Sequence, residues 1–259
     1  MPLPRRHFDL FVRLTKTGIA RQTSQRLLGP AWWLLEPLAM ITVYAMIFGG
    51  LLGVSRVSAI DAYPLFLACA LIPWRWFNLA ALRGGASLIQ NASLLTSMPV
   101  SRDAIVLSEQ AAVAVQGLSG LPVLAIFMFV YECPITWNLL FVPIPIVIMV
   151  FLSLGVGYLM CPLSVIVPDV ANAWSVTMRV VWFMSPGLYS LEQFPEKWRG
   201  LYSLLNPFVG IFEGVRRPVH DALPPLWGPL GASAVWAVIA FVLGRWVFKR
   251  LSPVCIRML

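Results

Sequence analysis

Six apolar stretches follow one another at 32–53, 63–82, 106–131, 139–167, 173–191 and 226–248, each near the length of about 20 residues that a helix needs to cross a bilayer. Backbone groups in lipid find no water to bond, so such segments must satisfy them internally as helices. At 59% hydrophobic and 12% charged residues, with a mean hydropathy of +0.80, the 259-residue chain is too apolar for a water-soluble domain, where about a quarter of residues are charged. The expectation is a single all-α membrane domain over residues 1–259, with six transmembrane helices and too little remaining chain for a soluble catalytic unit.

Arg13, Lys16, Arg21 and Arg26 interrupt any apolar core that a cleavable leader would need. Phe8, Phe11, Val12 and Ile19 instead share one helical face, opposite Arg6, Asp9, Arg13 and Lys16, which predicts an amphipathic interface helix over 5–28. Gly29-Pro30 then breaks the chain and presets the first turn of the first span. Six crossings put both ends on one side. If that side is the cytoplasm, twelve of the 19 Lys and Arg lie inside and five outside, which the positive-inside rule favours. In the outer segment 192–225, apolar residues recur at helical spacing on both sides of Asn206-Pro207, and each half is too short to span. Two short re-entrant helices before the last span are predicted there.

Chemistry is scarce. The lysines are Lys16, Lys197 and Lys249, none preceded by glycine, so the chain has no nucleotide-cradling Gly-Lys-Ser/Thr. Carboxylates are scattered singly, Cys69, Cys133, Cys161 and Cys255 lie far apart, and His220-Asp221 stands alone in an outer loop. Neither catalysis, a resident metal nor a cofactor is expected, and the dispersed basic residues do not suit nucleic acid.

Three charges interrupt the apolar stretches: Glu36, Arg75 and Arg179. Intramembrane charges are costly and by default mark a functional site. Here they are read three ways: arginines reaching to the inner interface, a structural Glu36–Arg pair, or a seat for an anionic lipid headgroup such as a pyrophosphate. Trp74, Phe77, Trp182, Phe183 and Tyr189 are candidates to line a passage in which ring faces meet sugar faces. The alternative for these rings is the interfacial aromatic belt of any helical membrane protein. Pro73, Pro122, Pro162 and Pro186 add kinks that suit helices around a conduit, or simply irregular packing.

The ordered motifs carry a resemblance. The run from Arg26 through Gly29-Pro30-Ala31-Trp32-Trp33 to Leu35-Glu36-Pro37, then Tyr63-Pro64-Leu65-Phe66, Ile72-Pro73-Trp74, Ser185-Pro186 with Tyr189, Leu205-Asn206-Pro207 and the Glu213/Arg216 pair resembles the permease subunits of polysaccharide-exporting ABC transporters. These are the exporters of O-antigen, capsule and teichoic acid. Segment 97–102 departs from the family, keeping only Pro99 and Arg102 of its usual pattern, and Pro168-Asp169 stands where members often carry Arg-Asp. The resemblance implies a homodimer in the bacterial inner membrane, with both termini cytoplasmic. It also implies a separate ATPase subunit that holds ATP and Mg and docks on segment 83–103 and the N-terminal helix, with Asn91, Leu94, Leu95, Pro99 and Arg102 as coupling candidates. The cargo would be a polysaccharide on a polyprenyl-pyrophosphate carrier, moved among membrane lipids. The alternatives are an ABC permease for a small amphiphile such as a drug or lipid and, from another class, a membrane-embedded glycosyl- or phosphotransferase. A non-transporting scaffold is a third.

Overall fold

In the computed structural model residues 3–24, 27–54, 60–97 and 100–258 are described, with side chains from Phe8 onward, and every regular element among them is helical. Helix α1 (Leu3–Thr23) leads through a 3-10 turn at Gly29–Ala31 into α2 (Trp32–Tyr44), which relaxes into a π-helical turn at Ala45–Leu51. There follow α3 (Tyr63–Gln90), the short α4 (Ala92–Ser97), α5 (Arg102–Leu118) and α6 (Gly120–Val130). A 3-10 turn at Trp137–Phe141 opens α7 (Pro143–Ile166), and α8 (Val170–Met184) comes next. The last elements are α9 (Glu196–Leu205), α10 (Pro207–Val219) and α11 (Trp227–Met258).

The organising element is α3. Pro64 sits in its first turn, where the missing N–H costs nothing, and its 28 residues reach about 42 Å. Of its most apolar window 78% is buried, against 17–28% for the other four helical runs that are long and apolar enough to cross a membrane. The other helices therefore ring α3 and turn apolar side chains outward, among them Val235, Val238, Val242 and Leu243 of α11, each more than half exposed. So much exposed apolar surface is untenable in water and ordinary in lipid.

Small residues set the closest approaches, as they do between helices in membranes. A methyl group at Gly84 of α3 would meet the Cα of Gly157 of α7 at 2.6 Å, and beside this crossing Gln110 of α5 donates from Nε2 to the Ala80 carbonyl at 2.8 Å. Gly18 lets α1 lie against α5, where a methyl would stand 3.1 Å from the Ala112 Cβ.

Among the described residues five helical runs meet the length and hydropathy of a membrane span: 29–51, 63–90, 102–130, 137–166 and 227–258. The expected fifth stretch, 173–191, is the difference. Its helix, α8, has 15 residues, about 22 Å, short of a hydrocarbon core of about 30 Å. The cause is local. Pro186 has no N–H and forces the residue before it out of the helical region, and Ser185 is extended with φ −101° and ψ 153°. Pro122 differs: it offers no N–H to the Leu118 carbonyl where α5 gives way to α6, but Ser119 keeps helical angles (φ −64°, ψ −13°) and the run 102–130 is not ended.

The two short helices expected in 192–225 are α9 and α10, divided where Asn206-Pro207 places the break. The Asn206 side chain accepts from the Phe208 N–H at 3.0 Å while Pro207 occupies the first helical position. Helix α10 runs beside α3: at one end Phe208 meets Phe77 with ring centroids 4.9 Å apart, and beyond the other His220 bonds the Asp61 carbonyl. All four cysteines are free thiols.

Candidate functional site

A cavity of about 460 Å³ runs along α3 from Leu71 to Arg83, walled by α2, α8, the end of α1 and the α5–α6 junction. Twelve residues of helix make its length about 18 Å. Charged and polar side chains enter it from several elements: Gln22 from α1, Glu36 from α2, Arg75, Asn78 and Arg83 from α3, and Ser175 and Arg179 from α8. Trp74 and Trp182 stand at the opposite end from Gln22 and Arg83.

Each intramembrane charge singled out in the sequence thus faces one space. Arg75 Nη2 lies 2.9 Å from Glu36 Oε1, joining α3 to α2. Both side chains line the cavity and are partly exposed, at 26% and 45%. Arg179 and Arg83 make no ion pair among the described residues. Sequence reading assigned Arg83 to a connection. It belongs to the site because α3 continues through Gly84-Gly85 to Gln90, which also sets Arg75 about 22 Å from that end of the helix. Glu109 of α5 was missed as well; it is buried, 3.8 Å from Arg21, at the foot of α1.

The aromatic candidates separate into two groups. Trp74, Phe77 and Trp182 are buried in one cluster with Phe208 and Phe212 of α10, with Trp74 centroids 4.8 Å from Phe208 and 5.4 Å from Trp182. Trp74 and Trp182 line the cavity, the indole N–H of Trp182 having no partner among the described residues, while Phe77 backs Trp74 from outside. Phe183 instead points outward, 53% exposed. Tyr189 is away from the cavity, its hydroxyl 3.2 Å from that of Tyr202, which donates to the Met184 carbonyl at 2.6 Å.

Among the coupling candidates, Asn91 is buried and ends α3, its side chain accepting from Arg21 at 3.3 Å. Leu94 and Leu95 are half-buried on α4, Leu95 against a cluster that includes Leu88, Tyr158 and Phe248. Arg102 donates to Ser252 Oγ at 3.1 Å, tying α5 to α11, and Pro99 lies outside the described residues.

His220 sits between α10 and α11. Its Nε2 is 2.7 Å from the Asp61 carbonyl and its Nδ1 2.5 Å from Asp221 Oδ1, so both ring nitrogens face acceptors, an arrangement that favours the protonated ring. Burial disfavours the charge and Arg216 opposes it, but the bonds to Asp221 and to the Asp61 carbonyl, with the Asp221 charge, outweigh them and raise the pKa above 6.5. A raised folded-state pKa contributes stability in full below the unfolded value and loses it as pH climbs through the folded one. Melting temperature between about pH 5.5 and 8.5 is therefore expected to fall above about 6.5, and His220→Gln to flatten the profile. A wild-type profile already flat there would count against the clasp.

The sequence profile of the ABC-2 type transporter family matches residues 9–218. O-antigen export system permease protein RfbA of Klebsiella pneumoniae is 28% identical over 205 residues, covering 79% of this chain and 77% of its own. The protein of the same name from Myxococcus xanthus is 23% identical over 241 residues, 93% and 91% of the two chains. Inner membrane transport permease YadH of Escherichia coli K12 is 27% identical over 225 residues, 82% and 85%. With a polar, ring-ended cavity enclosed by long apolar helices and the profile covering most of its length, the chain belongs to the ABC-2 type transporter family and is a membrane permease homologous to the O-antigen export permeases.

Proposed function

We propose that this permease exports a polysaccharide carried on polyprenyl pyrophosphate across the bacterial inner membrane, as a homodimer driven by ATP hydrolysis on a separate ATPase subunit. The observation that carries the reading is the cavity that joins Arg75, Arg83 and Arg179 to Trp74 and Trp182 in one space. A pyrophosphate suits planar guanidinium donors, which bind phosphate oxygens in pairs. Glu36 is 2.9 Å from Arg75, and the cargo's anion competes with it for that arginine. A volume of about 460 Å³ admits a headgroup and not a polymer, so the glycan must be threaded. Ring faces suit threading because their contacts with sugar are weak and recur along the chain.

In this reading α8 and the turn after it complete a sixth crossing, both termini are cytoplasmic, and α9 and α10 form a re-entrant hairpin. Phe208 and Phe212 on α10 close the path at Trp74 and Trp182. Movement of the segment around α4 by the ATPase, transmitted along α3, would open it. ATP and Mg belong to that partner.

The test is surface glycan in cells whose sole copy carries Arg75→Ala with Arg179→Ala, or Trp74→Ala. Losing two charge-assisted contacts of about 1.5–3 kcal/mol each should cut export at least tenfold in the arginine variant. Trp74→Ala should reduce export while the subunit still co-purifies with its ATPase. Unchanged surface glycan in the arginine variant would overturn the headgroup site. ATPase stimulation by small amphiphiles and not by lipid-linked glycan would make the protein a small-molecule exporter instead.

A further inference from the structure

Of all side chains around the cavity, Gln22 has the least explanation within the chain itself. It is 5% exposed, yet neither Oε1 nor Nε2 finds a hydrogen-bond partner among the described residues, and it lines the cavity at the Arg83 end. A buried amide left unpaired destabilises the fold that holds it. Gln22 lines the space that Arg83 also lines, its amide keeps one acceptor and two donors unused, and Arg83 makes no ion pair among the described residues. That set matches an oxygen-rich head: Nε2 can donate to a phosphate oxygen and Oε1 can accept from a sugar hydroxyl.

The residue beside it points elsewhere. Arg21 Nη2 donates to Asn91 Oδ1 at 3.3 Å, and its Nη1 lies 3.8 Å from Glu109 Oε1. Asn91 is the residue on which α3 ends and α4 begins: its Nδ2 donates to the Ser87 carbonyl at 2.8 Å, and its own carbonyl accepts from the N–H groups of Leu94 and Leu95 at 3.1 Å each. The other carboxylate oxygen of Glu109 has no partner among the described residues, so this node is only part-satisfied and has capacity for a second arrangement. Two consecutive residues of α1 thus touch the cavity and the start of α4.

We propose that Gln22 is a ligand-contacting residue for the phosphate and sugar head of the cargo, and that Arg21 passes its occupancy to α4 through Asn91. This deepens the cavity reading above and rests on it. The end of helix α1 then links a seated head to the start of α4 through Arg21 and Asn91.

The experiment uses the full chain in nanodiscs with polyprenyl pyrophosphate as probe, reading affinity, melting temperature and hydrogen exchange at residues 92–97. Gln22→Leu should weaken binding about fivefold to tenfold, the loss of one or two bonds to the head. Its melting temperature should stay level or rise, because an orphaned amide has been replaced by an apolar group of similar size. A structural role for Gln22 would give the opposite sign. Arg21→Ala should bind the probe within about twofold of wild type and lose the exchange response at 92–97. Competition by inorganic pyrophosphate, with polyprenol failing to compete, supports a contact with the head; polyprenol binding as tightly as its pyrophosphate overturns it. Equal affinity in Gln22→Leu, or an exchange response that persists in Arg21→Ala, also overturns the proposal. If Gln22→Leu binds normally while Arg75→Ala with Arg179→Ala does not, only the role of Gln22 falls. Absence of wild-type binding removes the cavity reading with it.

Discussion

Arg216→Met is expected to remove most of the folded protein from detergent extracts. Arg216 is 2% exposed and spends its guanidinium on three elements at once. Nη1 donates to Glu213 Oε1 at 2.6 Å within α10, and Nη2 to the carbonyls of Pro186 and Gly187 at 2.9 and 3.3 Å in the connection after α8. The guanidinium carbon stands 3.5 Å from the centre of the Phe66 ring on α3. Methionine fills much of the volume and supplies none of the donors. It leaves a buried carboxylate and two carbonyls without their partner, and breaking a buried pair from one side costs about 3–5 kcal/mol. Against a total stability of about 5–15 kcal/mol, that is enough to unfold a marginal domain. Arg216→Lys keeps the charge but lacks the planar fork and ring stacking, and should recover only part of the loss. Glu213→Gln with Arg216→Met removes both charges and should be more stable than Arg216→Met alone. Thermal melting by size-exclusion chromatography decides it. A single variant that melts within a degree or two of wild type, or a double variant worse than the single, would refute this account of the pair.

How much of this was legible in the sequence depends on whether the signal was local. Asn206-Pro207 and Gly29-Pro30 carry their own backbone restrictions, and the helices start where those residues place them. The Glu36–Arg75 pair was one of three readings offered, and it is present because two intramembrane charges of opposite sign had few other partners. What failed was packing at a distance. Arg83-Gly84-Gly85 has the look of a connection, yet Gly84 is small to admit Gly157 and α3 continues through it. Glu109 is embedded in an otherwise apolar stretch, and its partner Arg21 lies far away in sequence on α1. The end of α8 was set by Pro186, whose helix-breaking effect is local, but uniform hydrophobicity around it hid the boundary. Trp74 and Trp182 were singled out as rings; that Phe208 and Phe212 would close over them required α10 to lie beside α3, which no periodicity reports.

Gly244→Leu should separate α7 from α11 and abolish a stable fold, because the two helices touch through backbone at this point. A Cβ at Gly244 would run into the Gly155 carbonyl, and one at Gly155 into the Ala240 and Phe241 backbone. Backbone cannot rotate aside as a side chain can, so even one methyl must push the axes apart. Phe241 would lose its edge contacts with Phe151 and Tyr158, now at centroid distances of 5.8 and 6.4 Å. Overpacking of this kind costs about 1–3 kcal/mol for a small insertion, so Gly244→Ala should lower the melting temperature by several degrees and leucine should exceed what the fold tolerates. The same helix supplies the control. Gly228 and Gly231 have open space where a Cβ would go. Alanine there should hold or raise stability, since glycine inside a helix is worse than alanine by about 0.5–1 kcal/mol. One substitution, made at Gly231 and at Gly244 in a single helix, is thus expected to act with opposite signs. If alanine is tolerated equally at both, the close backbone crossing does not hold these helices together, and side-chain packing along the rest of α7 and α11 must do so.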